Sequence, residues 1–419
     1  MNVSVVGAGK MGLPIAVWIA SRGATVWACD KNPDVVAAIE AGEPGIDEPG
    51  VAELLREVQA ARRLRATTDT TAAIAESDVA IVITPAVLTE AQDADLSNLE
   101  SASRDIARGL TAGALVIYET TVPVGTTRER LLPILETSGL SAGEELSVAY
   151  SPERVKSLTV MSHLDETPKV VGGHDELAAG RAADFYREYL GAPVTAVETM
   201  EAAEFVKLAG MIYRDVNIAL ANQLATYAEG TGLDSAGLFE AANSDGECRL
   251  LSPGIGVGGH CTPVYPHFLI GDAARRGIDA SLVAGARRTN DEQPERLTAR
   301  LERHLGGLGG TRVGVLGLGF RPDVKEQICS PTFALVEALR ARGAEPRVHD
   351  PLYSVAEIEA HGFAAWDPGP PEWRAEALVL VTGHSAFAGL DLAALRDAGL
   401  RAVLDGRRFW DAAEVEALG

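Results

Sequence analysis

The sequence predicts an α/β protein: two doubly wound Rossmann-like domains joined by a long central helix and a small helical domain. Three observations predict it. Short β-branched runs alternate with helical patterns near both ends of the chain, the pattern of parallel sheets covered by helices. A glycine turn, Gly7-Ala8-Gly9-Lys10-Met11-Gly12, separates the first strand-like run from the first helical one. Between the alternating regions, residues 198–228 contain no proline and only Gly210 to weaken one long helix.

Taken in order, residues 3–6 read as a strand, 13–20 as a helix and 25–29 as a second strand ending at Asp30. This is the β-α-β unit of a dinucleotide-binding half. Further strands are expected at 79–83, 115–118 and 147–149, and helices at 235–242 and 280–303. A strand at 312–317, a helix at 331–342 and a strand at 346–349 ending in Asp350 open a last alternating region. At ~150 residues per domain, 419 residues suggest two to three domains. The expected division is 1–195 (dinucleotide-binding α/β), 196–305 (central and helical) and 306–419 (C-terminal α/β).

Lys and Arg number 37 against 59 Asp and Glu, a formal net charge of −22. That argues against a general nucleic-acid binder, which needs a basic face. It leaves room for a small anion held by backbone N–H groups. The chain begins at once with a strand-like run, and its longest uncharged stretch, 250–271, is cut by glycines, prolines and histidines. No targeting or membrane segment is therefore expected. Cys29, Cys248, Cys261 and Cys329 have no zinc spacing, so no metal and a reducing, cytoplasmic setting are expected.

In the glycine turn, Gly7 suits the tight turn, Gly9 the approach of a pyrophosphate and Gly12 close helix–strand packing. Asp30 can accept hydrogen bonds from both adenosine ribose hydroxyls and would repel a 2′-phosphate, which favours NAD, although Lys31 beside it weakens that preference. A second dense segment runs Pro253-Gly254-Ile255-Gly256-Val257-Gly258-Gly259-His260-Cys261-Thr262-Pro263-Val264-Tyr265-Pro266. So many glycines serve neither helix nor strand; they suit a backbone wrapped around a ligand with a thiol at its end. A packed structural cysteine is the plainer alternative.

This segment resembles the cysteine motif of the UDP-glucose/GDP-mannose dehydrogenase family, most like its UDP-N-acetylmannosamine dehydrogenase branch. The resemblance extends over nearly the whole chain: the glycine turn and Asp30, Glu48-Pro49-Gly50, Thr84-Pro85, Thr120-Thr121-Val122-Pro123-Val124-Gly125-Thr126, Ser151-Pro152-Glu153-Arg154-Val155, Glu201-Ala202-Ala203-Glu204-Phe205-Val206-Lys207-Leu208, and Gly317-Leu318-Gly319-Phe320-Arg321-Pro322-Asp323-Val324 with Ser330-Pro331. It implies NAD-dependent oxidation of a nucleotide-sugar primary alcohol to a carboxylate. Cys261 is then the nucleophile that turns the intermediate aldehyde into a thiohemiacetal and then a thioester. Lys207 steadies the oxyanion, and Glu153 and Thr121 handle protons and water. The resemblance further implies cofactor contacts from Gly7, Gly9, Lys10, Met11, Gly12, Asp30, Thr84 and Thr121. Glu153, Arg154, Lys207, Gly256, Gly258, Phe320 and Arg321 are the implied substrate contacts, the outer domains flank the active site, and the central helices form a homodimer.

Three positions depart from the family pattern. Met211 stands for an asparagine of the lysine helix, Tyr265 for an aspartate after the cysteine, and Ile328 for an arginine before Ser330-Pro331. Arg321 replaces a lysine, keeping the charge but not the shape. A retuned enzyme with another substrate, or with a two-electron or redox-neutral outcome, is therefore an alternative. A non-catalytic dinucleotide sensor is a third. His260 is expected to satisfy a loop carbonyl, and Asn290 to be structural.

Overall fold

The computed structural model describes residues 1–368 and 373–418. The chain divides into two compact units. Unit 1 comprises Met1–Gly210 with His267–Ile278, and unit 2 comprises Met211–Pro266 with Asp279–Gly419. The helix Met200–Gly230 begins in the first and ends in the second.

Unit 1 is built on a sheet of eight strands: β1 (Asn2–Val6), β2 (Thr25–Cys29), β3 (Leu64–Thr67), β4 (Val79–Val82), β5 (Leu115–Tyr118), β6 (Ser147–Tyr150), β7 (Lys169–Gly173) and β8 (Val194–Val197). Their spatial order is β8-β7-β6-β5-β4-β1-β2-β3. The alternation of side chains explains why it is covered twice. Val3, Val5, Ile81, Leu115 and Ile117 point into one core, while Val6, Ala80, Val82, Val116 and Tyr118 point into the other. A strand apolar on both faces belongs in the middle of a doubly wound sheet. The pairing is parallel except at one junction, where β7 runs antiparallel to β6. Side-chain periodicity is the same in both directions, so an all-parallel expectation could not foresee that reversal.

Unit 2 carries a second, parallel sheet of β9 (Arg312–Leu316), β10 (Glu345–His349), β11 (Ala377–Leu380) and β12 (Ala402–Asp405), in the order β10-β9-β11-β12. Val313, Val315, Ala377 and Val379 face one core, Leu316, Leu378 and Leu380 the other. The helical pattern expected over 280–303 is two helices, Ser281–Asp291 and Gln293–Leu305. Pro294 sits in the first turn of the second, where its missing N–H costs nothing but a continuous helix is broken. A helix at Tyr265–Arg276 begins within the last two residues of the glycine- and proline-rich segment. Among the described residues no helix is long and apolar enough to cross a membrane.

Candidate active site

In unit 1 the candidate residues gather where the strands end at their carboxyl edge. The three glycines of the first turn differ as their positions require. Gly7 has φ +101, and a Cβ there would press on Ile83 and Thr84 at 3.1 Å. At Gly12 a Cβ would lie 1.8 Å from the Gly7 carbonyl oxygen, so helix and turn meet this closely only because residue 12 is glycine. At Gly9 a Cβ would meet nothing within 4 Å, which leaves open space over the turn. The helix Gly12–Ser21 has Met11 at its N-cap, with no side-chain hydrogen bond to the first turn. Beside Gly7, the Thr84 hydroxyl is buried without a hydrogen-bond partner among the described residues. An open cradle at a helix N-terminus with a buried hydroxyl beside it fits a pyrophosphate.

Asp30 closes the turn from β2: its Oδ2 accepts the Ala8 N–H at 3.0 Å and its Oδ1 the Asn32 N–H at 2.9 Å. Lys31, which could have drawn a 2′-phosphate, donates instead to Asn98 at 2.8 Å. The acid is thus seated where a ribose edge would meet it. Filling the cradle should show directly. Gly9→Val is expected to raise the NAD dissociation constant at least tenfold, about 1.4 kcal/mol, while the urea unfolding midpoint stays unchanged. Titration of cofactor fluorescence checks it.

The other unit 1 candidates sit on the loops after β5 and β6 and, for Lys207, on the helix Met200–Gly230. Thr120 donates its hydroxyl to the Thr84 carbonyl at 2.6 Å, and Thr121 beside it is buried. Glu153 turns its carboxylate inward: Oε1 accepts the N–H groups of Arg154 and Val155 at 2.5 and 2.6 Å, and Oε2 accepts Lys169 Nζ at 3.0 Å. Burial alone would raise its pKa, but Lys169 and those bonds outweigh burial and hold the carboxyl below its usual range. Lys207 donates to the Glu153 carbonyl at 2.6 Å, so those two candidates meet, whereas Arg154 points to solvent.

Glu48 of the Glu-Pro-Gly motif accepts the N–H groups of Leu158 and Val160 at 2.5 and 2.7 Å, pinning the same loop further on. Glu204, one turn before Lys207, accepts the Gly125 N–H at 2.5 Å and the Thr127 N–H and hydroxyl at 2.9 and 2.6 Å. Burial pushes its carboxyl up to about 7 in spite of these bonds. A raised carboxyl pKa means that the folded state favours the protonated acid. Its stabilising contribution is full below about pH 4.5 and is lost as pH rises through about 7. Relative to Glu204→Gln, the wild type should lose about 3 kcal/mol from acid to pH 8. Urea unfolding at several pH values measures this difference, and a difference constant with pH contradicts it.

In unit 2 the cysteine segment lies against Phe320. A Cβ at Gly258 would fall 2.3 Å from Phe320 Cβ, and one at Gly259, φ +105, would fall 3.0 Å from its ring. At Gly256, φ +154, Pro331 stands 3.0 Å away. The Gly259 N–H donates to the Ile328 carbonyl at 2.8 Å. Beneath the segment lies a buried network that the sequence reading missed. Arg287 pairs with Asp215; Asn290 donates to the Asp215 carbonyl and carboxylate, each at 2.9 Å; Asn222 donates to Asn290 at 3.0 Å. Asn222 in turn accepts the Gly254 N–H at 2.9 Å. Asn290 is structural, as expected. Asp215 and Asn222 lie seven residues apart on the long helix, but other polar residues such as Arg214, Asn217 and Gln223 flank them, so no local signal singled them out.

Cys261 follows this braced segment and is half-exposed, not packed away. His260 bonds the Glu326 carboxylate at 2.7 Å rather than a loop carbonyl, a correction to the expectation. Ile328, where the family pattern has arginine, is 41% exposed: no charge stands there to hold an anionic group. Met211 and Tyr265 are partly buried. Among the described residues no group of three His, Cys, Asp or Glu side chains could hold a metal ion.

Comparison with known proteins gives matches along the chain. Residues 1–190 match the model described as "UDP-glucose/GDP-mannose dehydrogenase family, NAD binding domain", 201–292 that family's central domain and 314–412 its UDP binding domain. The chain is 33% identical over 415 residues to a UDP-N-acetyl-D-mannosamine dehydrogenase of Pyrococcus horikoshii, covering 98% of this chain and 96% of that protein. It is 32% identical over 425 residues to an NDP-N-acetyl-D-galactosaminuronic acid dehydrogenase of Ralstonia nicotianae, covering 99% and 98%. The solved structure of a UDP-glucose dehydrogenase from Pyrobaculum islandicum is similar with a TM-score of 0.89 at 30% identity, covering 99% of this chain and 95% of that one.

Proposed function

We propose, since the chain belongs to the UDP-glucose/GDP-mannose dehydrogenase family, that it oxidises the C6 primary alcohol of a UDP-sugar to the uronate through a covalent adduct on Cys261. As a member it is an NAD-dependent oxidoreductase with a nucleotide-sugar substrate. In this reading residues 1–195 bind NAD, 196–305 link and dimerise, and 306–419 hold the nucleotide.

The observation that carries the reading is the mounting of Cys261: a half-exposed thiol at the end of a glycine segment braced by Asn222, Asn290, Asp215 and Arg287. A thiol kept only for packing needs no such support. NAD, when bound, supplies the hydride acceptor. The alcohol first loses a hydride and a proton to become an aldehyde. Cys261 Sγ then adds to the aldehyde carbon as the thiol proton passes to the aldehyde oxygen, giving a thiohemiacetal that loses a second hydride to NAD together with its hydroxyl proton. The thioester so formed is cleaved by water to the carboxylate, and Cys261 recovers its proton. Lys207, held by the Glu153 carbonyl, offers its ammonium to the developing oxyanion. Thr121 and Glu153 stand on the neighbouring loops, where they order water; the depressed pKa of Glu153 makes it a carboxylate that orients rather than an acid that donates.

A second reading has its own support. Met211, Tyr265 and Ile328 bring no carboxylate or cation where the family pattern has polar groups. Losing one oxyanion donor alone can cost ~10²–10³ in rate. The substrate is then altered, or oxidation halts after one step or is redox-neutral. A non-catalytic sensor would bind NAD and turn over nothing. The dehydrogenase reading takes the protein to be a cytoplasmic homodimer; the dimer is supported by Tyr213, Leu220 and Tyr227, exposed one heptad apart on the long helix.

Counting NADH per sugar separates these. With UDP-, GDP- and dTDP-sugars screened by product mass, full oxidation yields two NADH per sugar, a halted reaction one and a neutral one none. Cys261→Ser is expected to abolish uronate formation while NAD binding persists. Two NADH per sugar from that variant would exclude the covalent route.

A further inference from the structure

Lys169, at the start of β7, is 3% exposed and lies outside every motif that carried the family resemblance. Its Nζ is 3.0 Å from Glu119 Oε1 and 3.0 Å from Glu153 Oε2, and 4.8 Å from the centre of the Tyr186 ring. The Tyr186 hydroxyl donates to the same Glu119 oxygen at 2.5 Å. Glu119 immediately precedes Thr120 and Thr121; the Glu153 carbonyl holds Lys207. The backbone joins the same two loops, for the Glu153 N–H donates to the Glu119 carbonyl at 3.1 Å. Two carboxylates therefore share one buried ammonium, and the second oxygen of Glu119 has no hydrogen-bond partner among the described residues.

We propose that Lys169 is a positioning residue: by gripping Glu119 and Glu153 at once it fixes the loops that carry Thr121 and Glu153, and through the Glu153 carbonyl it sets where the Lys207 ammonium stands. The inference rests on the proposed roles of Thr121, Glu153 and Lys207. Without the ammonium, two buried carboxylates face each other; one must take a proton or turn away. Either response moves a loop. The charges facing Lys169 are Glu119 from the β5 end and Glu153 from the β6 end, with Tyr186 from the helix Glu176–Tyr189 and Lys207 behind Glu153. Burial opposes the lysine charge, and the two carboxylates outweigh it, so the ammonium persists.

The test combines hydrogen–deuterium exchange with kinetics on the full chain. In Lys169→Met, exchange is expected to rise over residues 119–127 and 151–157 and to stay unchanged over 7–13. Glu119→Gln, which leaves the Lys169–Glu153 pair intact, should raise exchange over 119–127 alone. The kcat of Lys169→Met should fall by about 10²-fold, the scale of an ångström-sized misplacement, with NAD affinity within threefold of wild type. Lys169→Arg should recover at least tenfold of that loss.

Unchanged exchange in both loops, or a rise that includes 7–13, overturns the proposal, the latter because it shows a general stabiliser. A folded Lys169→Met with kcat within threefold of wild type overturns it too. Should Lys169→Met fail to fold, the exchange pattern of Glu119→Gln decides. Should wild-type protein oxidise no nucleotide sugar, the functional reading fails by itself, and the exchange pattern alone decides the placement of the loops.

Discussion

Carboxylates, most of them buried, that accept backbone N–H groups hold the loops at the ends of the parallel strands, and the candidate site depends on them. Such a loop leaves the sheet with unpaired N–H groups that must find acceptors if they are buried. Asp30 takes Ala8; Glu48 takes Leu158 and Val160; Glu153 takes Arg154 and Val155; Glu204 takes Gly125 and Thr127; Asp350 takes Leu318 and Gly319. A charged acceptor makes a stronger bond than a neutral one and fixes the loop more tightly. The cost is desolvation, and the protein meets it unevenly. Glu153 is balanced by Lys169, which keeps it ionised; Glu204 has only its hydrogen bonds, and its pKa rises.

Each unit uses this device at its own glycine turn. In unit 1, Asp30 at the end of β2 reaches the turn after β1; in unit 2, Asp350 just past β10 reaches the turn after β9. The surroundings then diverge. Asp30 is partly open, while Asp350 is 1% exposed and bonded at 3.1 Å by the fully buried His384. The same strand–turn–strand plan thus leaves the acid partly exposed in one unit and seals it into the scaffold in the other. That difference agrees with an NAD binding domain at one end of the chain and a UDP binding domain at the other.

Much of the fold was legible because it rests on short-range rules. The β-branched runs, the three glycines and the acids ending β2 and β10 each state their role within thirty-odd residues. The break at Pro294 was also there to be read, and a helical period continuing across it concealed it. What stayed hidden is non-local. Lys169 meets partners 50 and 16 positions away, and Arg287 meets Asp215 across 72. A lysine opening a strand reads as an edge residue until the sheet order shows β7 inside. His260 was misjudged for the same reason, since its acceptor lies 66 residues on.

On the proposed mechanism Cys261 carries the sugar during oxidation. The most direct measurement is mass spectrometry of the protein quenched during turnover with NAD and a substrate nucleotide sugar, digested and searched at Cys261. The account predicts a thioester adduct of the nucleotide uronic acid on the Cys261 peptide, appearing and decaying with turnover. An unmodified Cys261 throughout a reaction that yields two NADH per sugar would contradict it.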